Sequence, residues 1–380
     1  MLVGCPRETA PGERRVALTP DAARALGRAG IEVAIEAGAG TAAGYPDAAY
    51  QQAGARVGDR AAALSGPDVV VVVQGAPEQV ERLREGSVLV GLLRPLERPE
   101  RARALAARRI TAFAMELMPR ITRAQSMDAL SSQANLAGYR SVLVAAASLA
   151  KAFPMMVTAA GTISPARVLV LGAGVAGLQA IATARRLGAI VEAYDVRPAV
   201  KEQVESLGAR FLELALETGD AEDAGGYARV QSEEFLRKQR ELLGQRVAAA
   251  DVVITTALVP GSEAPRLVEE EAVRRMRPGS VIVDMAAEQG GNCACSRPDE
   301  TVRVDGVTVL GPTNLPSEVA FHASQTYARN VTTFLEHLVK DGKLVLDLED
   351  EITKGALLCH EGEITHPRVR ELASGRGAQA

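Results

Sequence analysis

Residues 167–195, RVLVLGAGVAGLQAIATARRLGAIVEAYD, decide the fold. An apolar, β-branched run (Arg167–Leu171) leads into Gly172, Gly174 and Gly177. A helical pattern follows over Gly177–Leu187, and a second apolar run, Ile190–Tyr194, ends at Asp195. In such a strand–turn–helix, the first glycine permits the tight turn and the second lets backbone approach a pyrophosphate. The third lets the helix pack closely on the strand. The helix N-terminus adds unpaired N–H groups and a positive partial charge. A carboxylate at Asp195, 23 positions after Gly172, accepts hydrogen bonds from ribose hydroxyls of NAD(H) and repels a 2′-phosphate. Arg197 complicates that preference, because an arginine is what an NADP(H) site would use. The glycines alone are a weak signal for which a structural turn is the alternative; strand, helix and terminal acid in register favour a dinucleotide site.

Outward from this unit, short apolar runs alternate with helical segments. Ile31–Glu36, Asp68–Gln74, Ser87–Leu93 and Ile110–Met115 read as strands, as do Asp251–Thr256, Ser280–Met285 and Val307–Leu310. Continuous apolar strands between helices imply parallel sheets covered on both faces, hence an α/β class. A length of 380 residues implies two domains. Residues 67–93 echo residues 250–286: each is a strand opened by Asp, a loop, a helix and a Gly-Ser turn into another strand. Two α/β domains of similar winding produce such an echo, and so does chance. Two long helical patterns, Ser126–Lys151 and Pro316–Lys340, suggest that the chain crosses into a second domain and returns. The expected architecture is two Rossmann-like domains with parallel sheets, joined by long interdomain helices. The first would comprise residues 1–130 and 312–380, and the second, NAD(H)-binding, 131–311.

Composition narrows the function. A net charge of −4, no Trp and 3% aromatic residues offer neither attraction to a phosphate backbone nor stacking platforms, so nucleic acid is not an expected partner. No signal-peptide pattern or membrane-length apolar stretch occurs, and four Cys do not form a disulfide scaffold, so a cytoplasmic setting fits. Cys293 and Cys295 lack a second ligand pair, so no metal site is expected. The basic residues are mostly Arg, which fits either a GC-rich genome or thermal adaptation. EAGAGTAAG (Gly38, Gly40, Gly44) resembles another nucleotide turn, but Tyr45-Pro46 interrupts before any long helix, favouring a structural loop. Residues 217–231, ETGDAEDAGGYARVQ, form a long polar connection that is either functional or a surface excursion.

Acid–base residues are sparse. The four His are His322, His337, His360 and His366, and each is more often structural than catalytic. Hydride passed directly between two nicotinamide rings requires no acid–base group. In PRITRAQSMDALSSQANLAGYR (119–140), Gln125, Asp128, Ser131 and Asn135 step by three, three and four, which would put them on one helical face. Arg120 and Arg123 precede that face, and Arg120 is placed to pair with Asp128. The alternatives are a site for a carboxamide or ribose, and a polar helix surface with an incidental ion pair.

At these residues the chain resembles a known family. RAQSMDALSSQANLAGYRSVLVAA, FPMMVTAAGT, VLVLGAGVAGLQAIATARRLGA, DVRPAVKEQVESLGA and GSVIVDMAAEQGGN are similar to the NAD(H)-binding component of the proton-translocating nicotinamide nucleotide transhydrogenases. Alanine dehydrogenases share the ERRVALTPDAA opening (13–23), the EAGAG loop and the Rossmann unit. They carry a Lys and a His that hold and protonate the keto acid; here Gln74 and Arg94 stand at or near those positions, with Glu288 at an expected Asp and Arg15 retained.

The resemblance implies an AB-specific (Si–Re) oxidoreductase and translocase with NAD(H) on this chain and NADP(H) on a partner subunit. Gly172, Gly174, Val175 and Gly177 would line the pyrophosphate, and Asp195, Val196 and Arg197 the adenosine. Arg120, Ile121, Thr122, Arg123, Asp128, Ala129, Leu130 and Ser131 would surround the nicotinamide end, with Arg120 fixing Asp128. Gln125 would reach the partner's nucleotide. Gly226 and Tyr227 lie in the family's mobile loop, and Gln239 and Leu258 match further positions. The resemblance also implies a homodimer, membrane-spanning partner subunits, and a peripheral place on the cytoplasmic face of the inner membrane. A stand-alone NAD-dependent alanine dehydrogenase is the alternative, and a nucleotide-sensing module without turnover a third.

Overall fold

The computed structural model describes residues 1–214, 233–259, 261–340 and 342–374. The chain divides into two compact units, Met1–Gln133 with Pro316–Ala380, and Ala134–Leu315. It crosses the division inside the helix Ala129–Ser148 and returns at a 3-10 turn, Leu315–Val319. The second long helix, Ala320–Leu338, thus lies wholly within the first unit, so only one of the two long helices joins the units.

In the first unit, an eight-stranded sheet runs in the order Glu363–Ile364, Leu357–His360, Thr111–Ala114, Val88–Gly91, Val69–Val71, Leu2–Cys5, Glu32–Glu36 and Arg56–Gly58. The six strands from Thr111–Ala114 to Arg56–Gly58 are parallel, and the two C-terminal strands are antiparallel. The run Val69–Val73 shows why. Val69, Val71 and Val73 enter one core while Val70 and Val72 enter another, each at most 1% exposed. Only a strand with helices on both faces can bury every residue of such a run.

The second unit repeats the winding. Its seven-stranded sheet runs Arg210–Phe211, Ile190–Tyr194, Arg167–Leu171, Val252–Thr255, Val281–Asp284, Val307–Leu310 and Thr301–Val304. Val168 and Val170 pack on one side, Leu169 and Leu171 on the other. The strand Thr301–Val304 escapes an apolar-run reading because it is half-exposed. Its signal is Asp305-Gly306, whose positive φ values (48° and 83°) close a two-residue hairpin.

The sequence echo corresponds to an equivalent device in the two units. The Asp68 carboxylate accepts from the N–H of Leu2 at 3.0 Å, and Asp251 from that of Arg167 at 2.8 Å. Each aspartate thereby ties the start of its own strand to the start of the first strand, in chain order, of its unit's main sheet. A cation sits on each, Arg84 at 3.1 Å and Lys151 at 2.8 Å.

Both long helical patterns start later than their sequence suggests. The first is a 3-10 turn over Thr122–Met127 that breaks at Asp128 before Ala129–Ser148, and the second begins at Ala320. Beyond the first long helix, an antiparallel hairpin, Met156–Thr158 with Gly161–Ile163, is exposed along its length. Within the second unit, Gly138 lies against the helix Val175–Arg186: a Cβ there would stand 2.0 Å from the Ala176 carbonyl oxygen. Because that oxygen is backbone, Gly138→Ala should cost about 1–3 kcal/mol and lower the unfolding temperature by several degrees in differential scanning calorimetry.

Candidate functional site

The second unit presents a glycine cradle at the carboxyl ends of its central strands. Gly172, at φ +98°, leaves the strand Arg167–Leu171 with no room for a side chain, since a Cβ would stand 2.6 Å from Thr256 Oγ1. Gly177 touches the same turn, where its Cβ would lie 1.9 Å from the Gly172 carbonyl oxygen. Gly174 is different: nothing lies within 4 Å of where its Cβ would point. It is the N-cap of Val175–Arg186, and no side chain caps it. Open space above a glycine, at a helix start whose first N–H groups lack intrahelical partners, suits a pyrophosphate. Val175 is exposed at this opening.

Asp195 stands at the end of the neighbouring strand and is already engaged. Its Oδ2 accepts from the N–H of Ala173 at 2.7 Å and from Arg197 Nη2 at 2.8 Å. Its Oδ1 accepts from the Arg197 N–H and Nε, both at 2.9 Å. Four donors fill a carboxylate's ordinary capacity. The carboxylate thus fixes the glycine loop from below, while Arg197 folds back over it. Val196 is half-buried beside them.

Gln239 is fully buried; its Nε2 donates to the Tyr194 hydroxyl at 2.9 Å, and its Oε1 has no partner among the described residues. Burial pushes the Tyr194 hydroxyl up to about 12, so the phenol stays protonated and available as a donor. Leu258 is exposed on the loop after Val252–Thr255. Gly226, Tyr227 and the rest of 217–231 lie outside the described residues.

Two residues that support the cradle carry no signal of that role in the sequence motifs. Thr256 Oγ1 donates to the Gly172 carbonyl at 3.0 Å. Asn292, fully buried, accepts from the Ala257 N–H at 3.0 Å and donates to the carbonyls of Ala257 (2.9 Å) and Pro265 (2.7 Å). That amide clasps both ends of the loop bearing Leu258. The one hint in the sequence is a polar residue directly after the Gly290-Gly291 turn.

The first unit carries the other candidate group, and its geometry differs from the single helical face expected. Gln125 belongs to the 3-10 turn, Asp128 is the break, and Ser131 and Asn135 belong to the helix. The Asp128 carboxylate accepts from the Ser131 N–H at 2.8 Å and hydroxyl at 2.5 Å, the geometry of an N-cap. The break exists because that carboxylate caps the helix instead of continuing it. Arg120, Thr122, Arg123, Gln125 and Leu130 are exposed, Ile121 is half-buried, and Ala129 is buried. Arg123 pairs with Asp350 at 3.1 Å.

The residues aligned with a keto-acid site are occupied by one another. Arg15 donates to Glu13 through Nε (2.8 Å) and Nη2 (2.7 Å), and to Gln133 through Nη1 (2.9 Å). The Gln74 amide donates to Glu13 at 2.7 Å. Arg15 therefore holds Glu13 down to about 2, outweighing burial, which alone would raise it. Near them Glu8, desolvated and facing Glu13, is pushed up to about 7. Burial likewise raises Glu116 to about 7; it accepts from the Arg94 N–H, and its Oε2 has no partner among the described residues. Three histidines have structural bonds: His337 to Asp350 (3.0 Å), His360 to Thr111 (2.9 Å), and His366 as a helix N-cap. His322 is exposed.

The chain is similar to known proteins along almost its whole length. The family model for the alanine dehydrogenase/PNT N-terminal domain matches residues 4–137, and that for the C-terminal domain matches 141–367. The chain is 51% identical to a Rhodospirillum rubrum protein that is the first piece of a divided NAD(P) transhydrogenase subunit alpha, over the whole of both chains. A transhydrogenase structure from Sinorhizobium meliloti superposes with a TM-score of 0.84 at 44% identity, covering 97% of this chain and 99% of that one. An L-alanine dehydrogenase structure superposes at 0.82 with 29% identity, covering 99% of each.

Folding raises the pKa of both Glu8 and Glu116 from an ordinary 4.5 to about 7. Between those values the folded chain retains protons that the unfolded chain has lost, so stability should fall as pH rises from about 5 to about 7.5. Glu116→Gln should flatten that slope, removing on the order of 1–3 kcal/mol of pH dependence. Unfolding temperatures of both proteins across this range measure the difference.

Proposed function

The chain belongs to the alanine dehydrogenase/PNT family, on its transhydrogenase alpha-subunit branch, and from that premise we propose a specific role. It holds NAD(H) and exchanges hydride directly with NADP(H) bound on a partner subunit, in a complex that couples the transfer to proton translocation. The observation that carries this reading is Gln74, which stands where alanine dehydrogenases carry a Lys and whose amide donates to Glu13 at 2.7 Å; the shared opening retains Arg15. A keto-acid dehydrogenase needs a cation for the substrate carboxylate and a proton donor beside it. Here the guanidinium is committed to Glu13 and Gln133, and Gln74 adds its amide to the same Glu13. Transfer between two nicotinamide rings requires neither group.

In this reading the backbone of Gly172, Gly174, Val175 and Gly177 receives the pyrophosphate. Asp195 and Arg197 exchange part of their mutual pairing for the adenosine ribose, with Val196 beside them. Arg120–Arg123 and Asp128–Ser131 orient the nicotinamide carboxamide, and Gln125, exposed on its 3-10 turn, reaches toward the partner's nucleotide. The resemblance adds Gln239 and Leu258 to the nucleotide contacts, and also Gly226 and Tyr227, which lie outside the described residues. The nicotinamide supplies the hydride chemistry, which demands donor and acceptor carbons within ~3–3.5 Å in a dry pocket. The chain's residues supply orientation and exclusion of water. AB stereospecificity would require this chain to present one face of its ring and the partner subunit the opposite face of the other.

Among the described residues no helix is long and apolar enough to cross a membrane. With the R. rubrum relative named as one piece of an alpha subunit, this reading includes a peripheral place on membrane-spanning partners at the cytoplasmic face. The exposed apolar hairpin supports a homodimer: Met155 is 63% and Val157 77% exposed, with Met156 and Ile163 beside them. Val157→Asp should then shift the chain toward monomer in analytical ultracentrifugation; an unchanged dimer would remove the hairpin from that interface. A second reading, a stand-alone alanine dehydrogenase, is favoured by the likeness to the L-alanine dehydrogenase structure. It requires NADH oxidation by the purified chain with pyruvate and ammonia.

With a transhydrogenase NADP(H)-binding component, the chain should catalyse hydride exchange among NADH, NADP(H) and an NAD analogue. Gln125→Asn should slow that exchange at least about tenfold while the NADH dissociation constant changes less than about threefold. Turnover with pyruvate and ammonia, in the absence of exchange, would overturn the assignment in favour of the dehydrogenase.

A further inference from the structure

A line of hydrogen-bonded side chains inside the first unit ends at the turn carrying Gln125. Arg15 Nη1 donates to Gln133 Oε1 at 2.9 Å, and Gln133 Nε2 donates to Ser132 Oγ at 3.2 Å. Ser132 Oγ donates to Asn330 Oδ1 at 2.8 Å, and Asn330 Nδ2 donates to the Ser126 carbonyl at 2.8 Å. Asn330 lies in the helix Ala320–Leu338 and is 8% exposed. Its two partners stand on opposite sides of the break at Asp128: Ser126 in the 3-10 turn, and Ser132 in the first turn of the long helix. One amide therefore spans the hinge between the segment bearing Gln125 and the segment bearing Ser131.

We propose that Asn330 is a positioning residue for hydride transfer, setting the angle between Gln125 and the Asp128–Ser131 cap, with Arg15 and Gln133 buttressing it from behind. The inference rests on the transhydrogenase reading of that turn. Besides the Asp128–Ser131 cap and the buried Ala124, Met127 and Ala129, the turn relies on 3-10 hydrogen bonds, whose geometry is poorer than that of the helix it precedes. The amide's two groups face different segments, one as acceptor and one as donor, so neither bond can substitute for the other. A buried amide with both ends satisfied specifies one geometry, since any shift leaves a polar group unpaired. The Arg123–Asp350 pair tethers the same turn near its start, but from the exposed side, where screening weakens it. Asn330 is the tie on the buried side. The arginine that would hold a keto acid is used here, through Gln133, to support that tie.

The test uses the full chain with its NADP(H)-binding component. Asn330→Asp keeps the acceptor for Ser132 but places a carboxylate against the Ser126 carbonyl. Ser132→Ala keeps the bond to Ser126 and removes the other. Hydride exchange should fall about tenfold in the first and about threefold in the second, since small misplacements cost steeply in rate. The NADH dissociation constant should stay within about twofold in both. Amide hydrogen exchange over residues 122–131 should rise in the same order. A purely structural role would instead lower affinity and rate together. The proposal is overturned if rate and affinity fall equally, or if both variants exchange hydride as the wild type does. If the wild type exchanges none, the transhydrogenase reading fails; unchanged amide protection in both variants then overturns the tie as well.

Discussion

The second unit is organised by a backbone-on-backbone contact. The Gly172 carbonyl oxygen sits 1.9 Å from where a side chain on Gly177 would begin, and it also accepts the Thr256 hydroxyl at 3.0 Å. Because helix and strand meet at this distance, the helix start is drawn down onto the sheet and its N–H groups face the strand ends. The same closeness leaves the space over Gly174 open and brings Ala176 against Gly138 on the long helix. Replacing either contact with a methyl group would lift the helix and tilt the surface that suits a pyrophosphate. These close approaches therefore bear on both the stability of the unit and the shape of the cradle.

The two units show how one winding can serve different ends. Asp68 and Asp251 tie equivalent strand starts, and Glu36 and Asp195 occupy equivalent strand ends. Glu36 accepts from the Arg7 N–H at 2.9 Å, as Asp195 accepts from that of Ala173 at 2.7 Å, and each carries an arginine. The difference lies in the turn. After Leu2–Cys5 the chain reads PRETAPGERR, with no glycine where backbone would have to yield to a phosphate. The EAGAG glycines instead pack a 3-10 turn against Tyr50, whose hydroxyl would be 2.5 Å from a Cβ at Gly40. The first unit keeps the scaffold and spends its buried polar groups on internal bonds.

Much of the fold is legible in the sequence because its strands are buried on both faces, so apolar runs such as Arg167–Leu171 and Ile190–Tyr194 mark them without ambiguity. Strands with an exposed face or only a few residues, Leu2–Cys5, Thr301–Val304 and Glu363–Ile364, carry too little apolar signal, although Asp305-Gly306 and Glu361-Gly362 announce two of their hairpins. The glycine cradle is legible for steric reasons that depend on residue type alone. The Gln125–Ser131 segment reads falsely as one helix face, because step sizes cannot distinguish a continuous helix from a turn followed by a capped one. Asn292, Thr256 and Asn330 are illegible: each works by joining segments far apart in the chain, which no local pattern encodes.

Asp195 is fully subscribed by donors of its own chain. A hydroxylated molecule arriving there does not meet an idle acceptor; it competes with a tethered guanidinium that is always at hand. Each contact the newcomer makes is offset by one the arginine gives up, so net gain is small although the final geometry is well defined. In the proposed role, an anchoring point of this kind would favour fidelity of placement over tenacity, and would let a spent molecule depart quickly as the arginine closed behind it.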